Sequence, residues 1–171
     1  SAPTAKAVRA YLKEFLSDPR VVEIPRFIWW FILNGIILPI RSSASAKKYA
    51  SIWLPQLGSP LMHYSRLQAK ELSDKFANAG HTVLVDLAMR YGKPSTQEVL
   101  EGLKAEGMER LLLLPLYPQY SATTTASSFD EVFRVLSTWR DQPELRLVKH
   151  YHDNPAYIAA LRDQVLSSWD K

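Results

Sequence analysis

The sequence predicts the α/β fold class, with a doubly wound, mostly parallel sheet and helices on both faces. One observation is the continuous apolar run 111–114, which ends at Pro115 and is typical of a buried parallel strand. The other is the alternation of strand-like and helical patterns from residue 81 onward. Because helical patterns alone precede residue 81, we expect the first strand of the array to be missing from this chain.

Capping residues delimit the predicted helices in the first part of the chain. Thr4 is an expected N-cap, and Ser59 is another, with Pro60 at the first helical position after it. The segment 41–51 is rich in Ser, Ala and Lys, which predicts a solvent-facing helix. The predicted helices cover residues 4–16, 41–51 and 60–78.

Strands and helices are expected to alternate through the rest of the chain. Ser95 with Glu98, and Ser128 with Glu131, have the spacing of a capping box, and Asn154 is the expected cap of the last helix. The predicted strands cover 81–89, 111–114 and 145–151, and the helices cover 96–106, 129–139 and 155–169.

The segment 27–40, FIWWFILNGIILPI, is apolar on every side of a helix. It is shorter than the roughly 20 residues of a membrane span and contains Gly35 and Pro39, so we predict that it does not cross a membrane. It is either a core segment or an exposed lip on a pocket or membrane surface. The flanking Arg26 and Arg41 slightly favour the lip, since arginine suits an interface. The expected lip side chains are Phe27, Trp29, Trp30, Phe31, Ile32, Leu33, Ile36, Ile37 and Leu38.

Composition limits the function classes. At 171 residues with 47% hydrophobic residues, the chain is one domain or one lobe of a larger protein. It has no cysteine, which excludes thiolate metal sites and a cysteine nucleophile within this chain and fits a reducing compartment. Its net charge is +4, but the basic residues are scattered, so nucleic acid is not an expected partner.

Polar residues follow the three predicted strands. They are Arg90 with Tyr91, the loop 117–125, and the segment 150–153. Because parallel strands end at the same edge of a sheet, we expect these residues to share a cleft. Arg90 suits a carboxylate or phosphate ligand, and the alternative is an ion pair with Glu98.

His150 and His152 are two residues apart at a strand end, and Asp153 adds an oxygen ligand. This spacing permits a metal half-site. The favoured alternative is that these polar residues hydrogen-bond to the cap of the next helix.

The sequence resembles the ferrochelatases, which insert ferrous iron into protoporphyrin IX to form protohaem in haem biosynthesis. The similarity covers nearly the whole chain, in EFLSDPRVVEIPR, ILPIRS, KKYASIW, GSPL, RYG and LPLYPQYSATTTAS. It implies a Rossmann-like lobe, a cytoplasmic enzyme with peripheral membrane contact, and a hydrophobic lip at residues 27–40. It also implies that ferrous iron and the porphyrin are substrates and that no cofactor is required.

The resemblance implies porphyrin-binding residues along the chain. These are Arg41, Tyr49, Ser59, Arg90, Tyr91, Tyr117, Gln119, Tyr120 and Ser121. It further implies that the pocket distorts the macrocycle out of plane, so that iron enters from one face while a base accepts the pyrrole protons on the other.

The chain departs from the family pattern at four points. The metal-side histidine, in an SxHGIP-like motif, and its partner glutamate are expected beyond Lys171, so no catalytic residue is assigned here. The N-L-G-T-P-like turn after the first strand is absent. Ala122 stands where some members carry an iron–sulfur cysteine, so no cluster is expected from this segment. We therefore expect residues 1–171 to be an N-terminal lobe that is inactive alone.

Three other functions remain open from the sequence. One is a chelatase for a more carboxylated tetrapyrrole, which the apolar lip disfavours. Another is a non-enzymatic anion-binding α/β module, and the third is a membrane-surface interaction domain.

Overall fold

The structure, a computed structural model, describes residues 3–169. Within them, seven α-helices accompany a two-stranded parallel sheet, which confirms the α/β class. The chain divides into two compact units, Ser1–Glu106 and Gly107–Lys171. The expectation of a single lobe over 1–171 stays a prediction.

The first unit is built around α1 (Ala5–Leu16) and a long second helix. The Thr4 hydroxyl accepts the Ala7 N–H at 3.2 Å, as its predicted capping role requires. The long helix consists of α2 (Arg26–Ile32), a π-helical turn (Leu33–Ile37) and α3 (Leu38–Ser51). Both α3 and the π-helical turn pack against α1.

The π-helical turn sets which face of the long helix is buried. The Leu38 N–H donates to the Leu33 carbonyl, five residues back, so one extra residue enters the turn. The buried positions are accordingly Leu33, then Leu38 five residues on, then Ser42 and Ala46 at steps of four. The Ser42 hydroxyl donates to the Leu38 carbonyl at 2.5 Å, so burial leaves it satisfied.

The helix runs without a break through Gly35 and Pro39, and the prediction that this segment does not cross a membrane stays a prediction. The helix Arg26–Ser51 is 26 residues long and apolar enough to span by length and composition, a test that core helices also pass. Pro39 has no N–H to donate, and it is the second residue after the π-helical turn, where the hydrogen-bond pattern is already shifted. Only 17% of the most apolar 18-residue stretch of this helix is buried, so most of that stretch is not covered by other described residues.

Helices α4 (Pro60–Asn78) and α5 (Thr96–Ala105) begin where their caps predict. The Ser59 hydroxyl accepts the Met62 N–H at 3.4 Å. Ser95 and Glu98 form a complete capping box, which confirms that prediction.

The predicted strand over 81–89 is wrong for the structure. Residues 81–88 have no regular secondary structure, and Met89 makes only an isolated parallel bridge with Ser95. A strand exists through hydrogen bonds to a neighbouring backbone, and no described residue pairs with 81–88 in a ladder. Val83 and Leu84 are consequently exposed.

The second unit is a β-α-β arrangement with a further helix. Strand β1 (Arg110–Leu113) pairs in parallel with β2 (Glu144–Leu147), with Arg110 opposite Glu144. Helix α6 (Ser127–Leu136) connects them, and α7 (Pro155–Trp169) follows. Strand β1 has the four residues predicted but begins one residue earlier, and β2 is shorter than the predicted strand 145–151. Leu112 is exposed because, in the described two-stranded sheet, only one face of β1 is partly covered.

The predicted capping box of Ser128 and Glu131 is also wrong. A π-helical turn, Ala122–Ala126, runs directly into α6, so the helical segment begins earlier and Ser121 is its cap. The Ser128 hydroxyl donates to the Thr124 carbonyl at 3.0 Å, and Glu131 pairs with Arg134 at 2.7 Å. Both side chains are therefore in a helical interior.

Replacing Glu98 with glutamine should remove a pH-dependent contribution to stability. Bonds from the Lys93 ammonium and from Ser95 hold the pKa of the Glu98 carboxyl at about 2, below its ordinary 4.5. A lowered folded-state pKa adds stability above pH 4.5 that is lost as the pH falls to about 2. Unfolding of the wild type and Glu98→Gln as a function of pH should show a small gap at neutral pH that closes over this range. Glu101→Gln, on the same helix, is the control, and a gap that widened in acid would contradict the assignment.

Candidate functional site

The buried carboxylate of Asp18 organises the candidate site in the first unit. Its side chain is 2% exposed and lies just after α1. It accepts hydrogen bonds from Arg90 Nη2 at 2.5 Å, from the Tyr91 hydroxyl at 2.9 Å and from the Arg20 backbone N–H at 2.7 Å. These donors compensate a charge that water does not reach. Arg90 and Tyr91, both predicted site residues, are thereby fixed to the end of α1.

The ion pair with Asp18 corrects the alternative in which Arg90 pairs with Glu98. Lys93 bonds to Glu98 instead. The Arg90 side chain is 18% exposed, and its guanidinium carbon lies 4.5 Å from the centroid of the Tyr91 ring. Arg90 thus holds a protein carboxylate and an aromatic ring together.

Four aromatic rings form a cluster that contacts this ion pair through Tyr91 and reaches α3. Tyr11 stacks on Phe15, with ring centroids 5.9 Å apart. Its ring meets Tyr49 edge-on at 6.4 Å and Tyr91 at 6.3 Å, and Phe15 contacts Tyr91 at 5.3 Å. Two predicted porphyrin residues, Tyr49 and Tyr91, therefore share one aromatic cluster. Sequence reasoning missed Tyr11, Phe15 and Asp18 because their partners are distant along the chain.

The long helix carries an exposed apolar face. Phe27 is 76% exposed, and its ring contacts Phe31 edge-on at 5.1 Å. We call the exposed large side chains of this helix the apolar face: Phe27, Ile28, Trp30, Phe31, Ile36 and Ile40.

The other predicted lip residues are less exposed. Leu33 and Leu38 are buried and belong to the core, so their assignment as exposed lip side chains is wrong. Ile32 and Ile37 are half-buried. The Trp29 indole N–H donates to the Leu16 carbonyl at 2.6 Å, which satisfies an orphan carbonyl at the end of α1.

Arg41, Tyr49 and Ser59 follow the apolar face along the chain. Arg41 and Tyr49 lie on α3, eight residues or about 12 Å apart along the helix axis. Arg41 is exposed, and no hydrogen bond or ion pair within residues 3–169 engages its guanidinium. The oxygen of Ser59 caps α4, and its O–H group is still a potential donor.

The loop after β1 presents the predicted residues of the second unit. Tyr117 and Tyr120 are 41% and 46% exposed, and Gln119 is exposed as well. The Lys149 ammonium lies 5.0 Å from the centre of the Tyr120 ring. Ser121 accepts the Thr123 N–H at 3.3 Å, so its hydroxyl is a cap.

The ends of the two strands lie side by side in the second unit. The Tyr151 N–H donates to the Pro118 carbonyl at 2.9 Å, which brings the segment after β2 against the loop after β1. Two of the three predicted strand ends therefore meet. Arg90 and Tyr91 belong to the first unit, and the expectation that all three ends share a cleft stays a prediction.

His150, His152 and Asp153 come together after β2. Each offers a ligand atom, and these atoms all lie within 4.8 Å of one another. Asn154, and not these residues, caps α7, because its side chain accepts the Ala156 N–H at 2.9 Å. The favoured alternative, in which these polar residues hydrogen-bond to the cap of the next helix, stays a prediction.

Comparison with known proteins places the chain in one family. A family model described as ferrochelatase matches residues 1–171. A ferrochelatase of Herminiimonas arsenicoxydans is 62% identical over 169 residues, and one of Janthinobacterium sp. (strain Marseille) is 61% identical; each match covers 99% of this chain and 46% of the relative. A ferrochelatase of Chromobacterium violaceum is 58% identical over 98% of the chain and 46% of its own length. The chain spans about half the length of the curated relatives it matches.

Replacing Asp18 with asparagine should lower the free energy of unfolding by about 3 kcal/mol, since it leaves the Arg90 guanidinium without its buried counter-charge. Chemical denaturation of the full-length protein containing these residues measures this. Asp74→Asn is the matched control, because its pair with Lys70 is exposed and removing it should cost under about 1 kcal/mol. Equal effects of the two substitutions would contradict the role given to Asp18.

Proposed function

This chain belongs to the ferrochelatase family, and from that premise we propose that the protein inserts ferrous iron into protoporphyrin IX to form protohaem in haem biosynthesis. Residues 1–171 then supply the porphyrin-binding half, and the metal-side histidine and glutamate lie outside them. The observation that carries this proposal is one helix that presents an apolar face followed directly by Arg41, a cation that no residue within 3–169 pairs with. The 171 residues alone are inactive under this proposal.

The chemistry of that helix matches the substrate. Protoporphyrin is a flat apolar macrocycle with two propionate groups, so its site needs aromatic and aliphatic contacts and a few donors for carboxylates. The apolar face supplies the former. Arg41 supplies a guanidinium for a propionate, and Tyr49 and Ser59 supply hydroxyls. A heavily carboxylated tetrapyrrole suits so apolar a face less well.

Arg90 acts here as a positioning residue. Its guanidinium is held by Asp18 and lies against Tyr91, so we assign the contact with the macrocycle to Tyr91. A ring wedged among Phe15 and Tyr11 resists displacement. Such a rigid wall lets binding energy from the rest of the porphyrin bend the macrocycle out of plane, which exposes pyrrole lone pairs to iron.

The exposed loop after β1 adds further contacts in this proposal. Tyr117 and Tyr120 offer ring faces to the macrocycle, and Gln119 and Ser121 offer polar groups to its edge. No iron–sulfur cluster is expected from this segment, which has no cysteine.

The protein is proposed to be cytoplasmic, with peripheral contact to a membrane through the apolar face. The opposite face of the same helix packs its buried side chains against α1, which favours lying on a surface over crossing the bilayer. Arg26 and Arg41 border the apolar face, as suits a headgroup region.

An absorbance titration of the full-length protein with protoporphyrin IX, followed by an assay of anaerobic iron insertion, tests the function. Saturable binding and protohaem formation support it. Metallation of a polycarboxylated ring instead would indicate another chelatase, and absence of porphyrin binding would favour a non-enzymatic anion-binding module.

Arg41→Ala should weaken protoporphyrin binding roughly ten- to a hundredfold, because a charge-assisted hydrogen bond to a propionate is worth about 1.5–3 kcal/mol. The dissociation constant from the absorbance titration is the measurement. Lys48→Ala removes an exposed cation from the same helix and should leave affinity unchanged. Unchanged affinity in Arg41→Ala would remove this residue from the site.

Replacing Trp30 and Phe31 with serine should reduce binding to vesicles at least about tenfold, since each exposed aromatic ring contributes about 1.5–3 kcal/mol when buried in the interface. Co-sedimentation with phosphatidylglycerol-containing liposomes is the measurement. Leu61→Ser, which alters an exposed leucine of α4, is the control. If both variants sediment like the wild type, the apolar face does not contact membrane.

A further inference from the structure

The segment after β2 places two imidazoles and a carboxylate side by side. The His150 and His152 ring centroids are 5.2 Å apart, and one ligand atom from each histidine and from Asp153 lies within 4.8 Å of the other two. We propose that His150, His152 and Asp153 bind a divalent transition-metal ion at the surface of the second unit, as a loading site for ferrous iron. The choice of iron rests on the proposed function, whereas binding of a divalent ion does not.

The backbone before the histidines and between them is fixed by hydrogen bonds to β1 and the loop after it. The Val148 N–H donates to the Leu113 carbonyl at 3.0 Å, and the Tyr151 N–H donates to the Pro118 carbonyl at 2.9 Å. The half-buried Tyr151 ring meets Tyr157 edge-on at 5.4 Å. With Tyr151 anchored inward, the residues before and after it are both left exposed.

Neighbouring polar groups are occupied elsewhere and do not compete for the cluster. Asn154 supplies the cap of α7. The Lys149 ammonium lies over the Tyr120 ring. His150 Nδ1 and Asp153 Oδ1 are 3.9 Å apart, which is too long for a hydrogen bond, so the pair is not locked together.

The separation of the ligand atoms suits a bound ion. Nitrogen and oxygen ligands lie about 2.0–2.2 Å from a transition metal, so adjacent ligands of one ion are about 3 Å apart. Exposed side chains reach this from 4.8 Å or less by small rotations. Because all three residues are exposed, the reorganisation meets little packing resistance.

The donor set itself indicates the class of ion. Two histidines and one carboxylate with open positions is the arrangement typical of non-haem Fe(II), and imidazole also suits cobalt and zinc. Three protein ligands leave the remaining positions to water. An exposed site of this kind exchanges its ion readily, as a loading site for a substrate metal must.

Cobalt(II) titration of the full-length protein, followed by visible absorption and by equilibrium dialysis, tests the site. The His150→Ala/His152→Ala variant should bind one equivalent fewer than the wild type, and Asp153→Asn should weaken that equivalent at least about tenfold. His63→Ala, from the first unit, is the control and should retain it. Equal stoichiometry and affinity in all four proteins would overturn the proposal.

A parallel protoporphyrin titration separates this proposal from the proposed function. The double variant should bind porphyrin as the wild type does, while anaerobic iron insertion at limiting Fe²⁺ should show a raised KM for iron with kcat unchanged. If the double variant loses the cobalt equivalent but the wild type itself does not bind porphyrin, the metal site is supported and the proposed function is rejected. Loss of the equivalent with an unchanged KM for iron would overturn the loading role.

Discussion

The candidate site of the first unit depends on the buried carboxylate of Asp18. This carboxylate accepts hydrogen bonds from Arg90, from Tyr91 and from the Arg20 N–H. A buried charge is costly without donors, so the three groups must be present for the end of α1 to take this form. Their placement in turn fixes the Tyr91 ring against Phe15 and Tyr11 and so connects α1 with the turn at residues 90–92. A second link, from the Gly92 N–H to Glu14 at 3.0 Å, reinforces that connection.

The two faces of the long helix differ in their surroundings. Its buried side chains, such as Leu38, pack against α1, while Phe27 and Trp30 on the other face are largely exposed. The Trp29 indole ties the beginning of the helix to the end of α1. Rigid attachment on one side lets the other side present apolar groups without collapse, as the proposed porphyrin or membrane contact would require.

Most features that depend on neighbouring residues were predictable from the sequence, whereas contacts between distant residues were not. The local Ser128–Glu131 spacing is the exception, because a π-helical turn starts the helix earlier. The caps at Thr4, Ser59 and Asn154 and the Ser95–Glu98 box act within a few residues and are confirmed. The strand over 81–89 failed because a strand is defined by its neighbour. Likewise, Arg90 pairs with a residue 72 positions away, and no local pattern distinguishes Asp18 from Glu98 as its partner.

The π-helical turn at Leu33–Ile37 also constrains how this helix can change in length. One residue advances a helix by about 1.5 Å and rotates everything after it by about 100°. Removing a single residue from the turn would therefore swing Leu38, Ser42 and Ala46 away from α1 and redirect Arg41. The turn behaves as a fixed one-residue insertion that keeps two helical stretches in phase. Homologous sequences should therefore tolerate substitution within it more readily than a gap of one.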